Sequence, residues 1–262
     1  MEVDGDPSNE IQFLSVSTGG DTLYISAGNW VIVPGISTSQ PQTLIDYDGN
    51  SYQTVLIGSQ RWMAENLRTT HYANGTAIPL VSSANSWEVL GNNNYDKAFC
   101  YYNNNFNTEY GALYTWAGAM NGANSGNANP SGVQGACPDG WHMPSDNEWK
   151  QLELTLGMSQ ADVDAGGWRG TDQGSKLKES GTTHWLSPNI NATNSTGFTA
   201  LPGGLRDHFG IFSDLTIDGN WWSSTQSGGS DSYTRKLNYN HENVMRAIFY
   251  KSYGFSIRCV MN

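Results

Sequence analysis

Apolar residues recur at helical spacing most clearly between residues 146 and 156, where Trp149, Leu152 and Leu156 share one face. Ser145 with Glu148 three positions on is a capping box: the Ser hydroxyl accepts from the Glu148 amide, and the Glu carboxylate accepts from the Ser amide. Asp146 adds negative charge in the first turn, where the helix dipole favours it, and Gly157 supplies the stop. The pattern predicts a helix of about three turns. A second, shorter signal follows, with Ser159 capping residues 160–165, Gly166 and Gly167 ending them, and 171–178 adding about one more turn.

Elsewhere, short alternating runs bounded by turn residues predict strands. Residues 11–17, 22–26 and 30–33 read as strands of a small N-terminal β extension, 1–41, with a hairpin turn at Gly19-Gly20-Asp21, a break at Pro34-Gly35 and a linker at 37–41. The main domain, 42–262, opens as a meander in which 43–47 and 52–57 flank Asp48-Gly49, a pair that tolerates positive φ in a tight turn; Gly58-Ser59 then turns into 61–63. Residues 69–107 are irregular, Asn-rich and read as surface loop. Residues 110–120 fit a buried strand or a short helix, which periodicity does not separate. Further strands are expected at 198–201, 210–212, 220–224, 233–239, 244–250 and 255–260. In the last hairpin, Met245, Ala247 and Phe249 on one strand and Phe255, Ile257 and Cys259 on the next form apolar rows that share a buried side. The fold class expected is α+β: antiparallel sheets, two helices and the N-terminal extension.

Composition narrows the function classes. Ten Trp, 13 Tyr and 8 Phe carry much of the apolar content, and 30 Gly mark many turns. A net charge of −11 argues against a surface that neutralises phosphates, so no nucleic-acid partner is expected. No apolar run approaches the roughly 18 residues of a membrane span. Residues 1–7 lack the basic and apolar regions of a signal peptide. Low Lys content and Asn-rich, aromatic loops nonetheless suit an exported protein, so an extracellular or outer-surface location is expected, with any targeting segment outside this sequence. Of Cys100, Cys137 and Cys259, none has zinc-pair spacing. A Cys137–Cys259 bond would tie the C-terminal strand to the start of the main helix and is the preferred pairing; a bond involving Cys100, or three buried thiols, stays open.

Four stretches carry a resemblance: Gly-Trp-His-Met-Pro-Ser-Asp-Asn-Glu-Trp at 140–149, Asp48-Gly-Asn-Ser-Tyr52 running to Trp62-Met-Ala-Glu-Asn-Leu67, Trp221-Trp-Ser-Ser-Thr225, and Tyr253-Gly-Phe-Ser-Ile-Arg-Cys-Val260. In this order they resemble the Fibrobacter succinogenes major paralogous domain family, a bacterial surface group related to C-type-lectin-like folds. The resemblance implies a C-type-lectin-like main domain at the cell surface, in an adhesin, a pilus tip or another surface assembly.

Signs of catalysis are absent. There is no nucleophile elbow, phosphate loop, zinc-protease helix or C-x-x-C pair, and the five His residues stand singly, His142 inside the family motif as a structural group. The chain is therefore expected not to be an enzyme and to need no cofactor. Asp46, Asp48 and Asn50 are spaced like the start of a calcium loop, but Ser51 and Ile57 replace its Gly and bidentate Glu, which leaves a turn and no metal. The calcium-and-sugar triplets of C-type lectins are likewise missing: Ser187-Pro188-Asn189 lacks the acidic or amide first ligand. Trp168, Trp185, Trp221 and Trp222 offer stacking faces for glycans, although most Trp in a β-rich domain are core. The richest recognition chemistry lies between 231 and 246, where Asp231, Tyr233, Arg235, Asn238, Tyr239, Asn240, His241, Asn243 and Arg246 mix adaptable polar and aromatic groups. The expected function is a non-catalytic extracellular binding module for a glycan or protein ligand. The alternatives are a structural assembly domain and a hypervariable receptor-binding protein diversified by a retroelement.

Overall fold

The computed structural model describes residues 43–106 and 109–262, together with the backbone of three strands nearer the N-terminus. The turn expected at 19–21 and the linker at 37–41 lie outside the described residues. The chain divides into two units, Met1–Gln42 and Thr43–Asn262. In the first, β1 (Leu14–Val16), β2 (Thr22–Ile25) and β3 (Asn29–Ile32) form an antiparallel sheet with β2 central.

The second unit opens with β4 (Leu44–Ile45) and β5 (Ser51–Tyr52), which close on Asp48-Gly49 with Gly49 at φ +81°. Both nearby carboxylates are engaged in the turn. Asp46 accepts from the Asn50 amide at 2.9 Å and the Tyr52 hydroxyl at 2.6 Å, and Asp48 accepts from the Thr70 amide at 2.5 Å. β6 (Thr54–Ile57) and β7 (Gln60–Met63) continue into a four-stranded antiparallel sheet ordered β10-β17-β7-β6, with β10 at Trp141–His142 and β17 at Val260–Met261.

Between β7 and β10 the chain forms α1 (Ala84–Glu88), β8 (Phe99–Cys100), β9 (Leu113–Tyr114) and α2 (Trp116–Met120). The region expected to be loop from 69 to 107 is thus partly ordered by α1. The Ser83 hydroxyl caps it, and Trp87 is buried beneath, donating its indole N–H to Ser252 O at 3.0 Å. Residues 110–120 realise both alternatives in succession: β9 ends where the Thr115 hydroxyl accepts from the Gly118 amide and starts α2.

The capped helix is α3 (Asp146–Thr155), with both halves of the capping box formed. α4 (Gln160–Asp164), β11 (Gly167–Arg169) and α5 (Gln173–Leu177) follow, so there are five α-helices among the described residues where two were expected. After the β12 (Gly203–Arg206) and β13 (Phe212–Leu215) hairpin, β14 (Asp218–Gln226), β15 (Asp231–Asn238) and β16 (Val244–Tyr250) complete a second antiparallel sheet ordered β11-β16-β15-β14. Successive residues of a strand point to opposite faces. Trp221 of β14 accordingly enters a core cluster with Trp62, Trp149 and Phe198, and Trp222 enters another with Met63, Trp116 and Phe255.

Three expected strands do not form as placed. At 210–212 only Phe212 enters a strand, because the Asp207 amide donates to Ile211 O at 2.9 Å and the Gly210 amide to Asp207 O at 3.0 Å, closing the turn between β12 and β13. At 198–201 only Ala200 bridges to Lys178, because the carbonyls of Phe198 and Thr199 accept from the buried Arg258 guanidinium instead of a neighbouring strand. At 255–260 the chain does not fold back on β16, both of whose edges are occupied by β11 and β15. It runs past β9 and the edge of β14 before it reaches the first sheet, with the Phe255 amide donating to Tyr114 O and the Ser256 amide to Asn220 O, both at 3.1 Å, and the Met63 amide to Cys259 O at 3.0 Å. Of the two apolar rows, Phe249 meets Phe255 at 5.1 Å, while Met245 and Ala247 remain half-exposed. A disulfide joins Cys137 and Cys259, with Cα atoms 5.9 Å apart, and leaves Cys100 buried and free.

Candidate functional site

α3 sets the position of the β15–β16 hairpin through charge. Asp146 and Glu153 project from α3 onto the sheet, where three arginines from three adjacent strands meet them. Arg235 of β15 donates Nη1 to Asp146 Oδ1 at 2.8 Å and Nε to Glu153 Oε1 at 2.6 Å. Arg246 of β16 donates Nε and Nη2 to the two oxygens of Asp146 at 2.9 and 2.8 Å, and Arg169 of β11 donates Nη2 to Glu153 Oε2 at 2.6 Å. Arg235 is 1% exposed, so its side chain clamps the helix and does not face a ligand. Arg246 also caps the Tyr233 ring, with its guanidinium 4.1 Å from the centroid. A strand reading does not reveal this use, since the partners lie 82 to 100 residues away.

The turn end of the hairpin collects five of the expected residues. Asn238 donates its amide to Asp218 Oδ1 at 2.6 Å and accepts from the Asn240 amide at 2.8 Å. Asp218, buried between strands, has its carboxyl raised by desolvation although Lys236 pairs with it. Tyr239 is half-buried against the core cluster around Trp149, and Asn240 is exposed. His241 lies flat on Trp168 of β11, with ring centroids 3.9 Å apart and planes 4° from parallel, both rings half-buried. The carbonyls of Glu242 and Asn243 press on Gly174 of α5, where a Cβ would come within 2.3 Å of Asn243 O.

One residue without a sequence signal organises this turn. Lys178 is fully buried and donates Nζ to the carbonyls of Asn238 at 3.1 Å, His241 at 2.9 Å and Ile190 at 3.3 Å. Burial pulls its pKa down to about 8, which leaves it charged at neutral pH. A buried ammonium with three carbonyl acceptors fixes both ends of the turn by charge-assisted bonds.

Asp231 stands apart. Seven residues from Asn238 along the strand, at about 3.3 Å each, it is roughly 23 Å from the turn, and it lines an open depression with Ile248, Phe249, Tyr250 and Tyr253. The nine expected residues therefore do not form one site: Arg235, Arg246 and Tyr233 belong to the helix clamp, five form the turn, and Asp231 faces the opposite end. Of the candidate tryptophans, Trp185, Trp221 and Trp222 are core and Trp168 is at the surface.

His142 is structural. Its Nε2 lies 2.6 Å from Glu148 Oε1 and its Nδ1 2.7 Å from Asn262 Oδ1, while the other Glu148 oxygen accepts from the Ser131 and Ser145 amides. Burial pulls the His142 pKa down, but the Glu148 bond and charge outweigh it, so the net shift is upward from 6.5. A raised pKa stabilises the fold below the unfolded value and loses that contribution as pH rises through the folded one. Unfolding free energy is expected to fall as pH is taken from 6 upward, with a smaller fall in His142→Gln. Chemical denaturation of both proteins across that range isolates the residue, because His184, also raised, is common to both. Identical pH slopes would refute the assignment.

Among the described residues, no group of three or more His, Cys, Asp or Glu side chains is arranged to hold a metal ion, and no helix is long and apolar enough to cross a membrane. A family model described as the Fibrobacter succinogenes major domain matches residues 55–261. No curated protein and no solved structure matches the chain.

Proposed function

The chain belongs to the Fibrobacter succinogenes major domain family, and we propose that it is a non-catalytic binding module of a bacterial surface protein, with a C-type-lectin-like main domain that recognises a glycan or protein ligand outside the cell. The observation that carries this reading is the Trp168–His241 plate, 3.9 Å between ring centroids and half-exposed at the turn end of the hairpin. Aromatic rings that are large, rigid and already ordered bind at low entropic cost. The plate is held by the Lys178 ammonium, which binds the His241 carbonyl, and the exposed Asn240 of the same turn offers its side-chain amide to hydroxyl or peptide groups. The disulfide suits an oxidising compartment, which supports an extracellular or outer-surface location. The place of the domain in an adhesin, pilus tip or other surface assembly rests on the family alone.

A glycan array probed in calcium and again in chelator tests the reading. Binding is expected in both buffers, since no metal enters the proposed surface. Truncating a central aromatic contact costs about 2 kcal/mol or more, roughly 30-fold in affinity, so Trp168→Ala should lose most of the signal while still unfolding in one cooperative transition. Full binding by Trp168→Ala would overturn the assignment of the turn surface. Silence in both buffers, with concentration-dependent self-association in sedimentation, would favour a structural assembly domain.

A further inference from the structure

At the opposite end of the hairpin, Asp231, Ile248, Phe249, Tyr250 and Tyr253 line an open depression of about 360 Å³, near the lower end of the roughly 300–1,000 Å³ of small-ligand sites. Three aromatic rings line it, and a fourth group buttresses them. Phe249 and Tyr253 lie 5.2 Å apart, and the His208 ring meets Tyr253 at 5.5 Å and Tyr250 edge-on at 5.6 Å. Tyr250 is 46% exposed and Ile248 50%, so this aromatic surface is open to solvent. The Asp231 carboxylate receives no hydrogen bond or ion pair from another described residue. Lys251 senses its charge but is buried with Nζ turned to Asn94, Gln226 and the Gly229 carbonyl, above the Trp116 ring.

A carboxylate only accepts, and aromatic faces carry negative potential. A depression that combines the two, lined by no Lys, Arg or His, complements a cation that also has apolar surface. We infer that this depression is a second binding site, separate from the turn surface, and that it takes a small organic ammonium group such as a trimethylammonium, held over Tyr250 and Tyr253 by cation–π attraction and paired with Asp231. The net charge of −11 adds long-range attraction for such a ligand. A hydroxyl-rich neutral ligand fits less well, because the lining offers hydrogen-bond donors only from the two tyrosines.

Titration with choline and with its uncharged carbon isostere, 3,3-dimethyl-1-butanol, followed by NMR or tyrosine fluorescence, tests the inference. Choline is expected to bind about tenfold more tightly than the isostere, consistent with a partly desolvated cation–π contact. Tyr250→Ala and Asp231→Asn, both at partly exposed positions, should each weaken choline at least about fivefold, and Trp168→Ala should leave it unchanged. No choline binding by the wild-type protein, equal affinity for the isostere, or unchanged affinity in both variants would each overturn the site. Because the probe is not a glycan and the readout residues are not those of the turn, failure here leaves the glycan or protein reading standing, and the converse holds.

Discussion

Asp146→Asn is expected to lower the unfolding free energy by about 3–5 kcal/mol, the cost of removing one partner from a buried ion pair. Asp146 is 2% exposed and accepts three bonds of 2.8–2.9 Å from Arg235 and Arg246. An amide keeps the shape but not the charge, so Arg246 loses its counter-ion and Arg235 keeps only Glu153, in a site that water scarcely enters. The pH dependence gives a second readout. Burial alone would raise the Asp146 carboxyl, but Arg246 and Arg235 reverse this and hold it at about 2. A depressed carboxyl contributes stability above its unfolded value of 3.8 and loses it as pH falls toward 2. At 1.36 kcal/mol per unit that share is on the order of 2 kcal/mol. Urea denaturation at pH 7 and pH 3 should show the wild-type protein losing stability across this window, and Asp146→Asn losing much less. A variant within about 1 kcal/mol of wild type at pH 7 would show that the clamp does not hold the helix to the sheet.

What could be read from the sequence follows the range of the interactions involved. The capping box of Ser145 and Glu148 and the Asp48-Gly49 hairpin depend on neighbours three or four residues away, and both stand where the pattern placed them. β16 was expected over its whole length because its alternation is local. The helix clamp was hidden, because Arg235 in a strand looks the same whether it faces solvent or Asp146, 89 residues earlier. Lys178 was hidden for the same reason, since its acceptors are backbone carbonyls, which carry no residue-type signal. The misplaced strand at 255–260 shows the limit of periodicity. Alternating Phe255, Ile257 and Cys259 did specify an extended, buried segment, but which sheet receives it depends on the free edges, a property of the whole fold. The Asn-rich 69–107 region is missed for another reason: α1 has only five residues, too few apolar positions for a period to show.

Replacing Cys137 and Cys259 together by Ala is expected to cost about 3–5 kcal/mol. The bond closes a loop with a sequence separation of 122 residues, and chain entropy assigns about 4.7 kcal/mol to a loop of about 100 residues, with losses of about 2–5 kcal/mol typical in practice. Both sulfurs sit in the core cluster around Trp116 and Phe255, so the double variant also leaves two small buried gaps. At about 2–4 °C per kcal/mol for a domain of this size, the midpoint of thermal unfolding should fall by roughly 10 °C. Thiol titration of the denatured, unreduced protein distinguishes this from simple repacking. One thiol is expected, from Cys100, and three would mean that the bond does not form. Cys100→Ala serves as the comparison, since it removes a buried sulfur of the separate cluster around Trp87 without opening any loop. If it proves as costly as the double variant, packing and not the cross-link stabilises the C-terminal strand. If it is much milder, the covalent tie between Cys259 and the segment that leads into α3 holds β17 and the helix clamp in one folded unit.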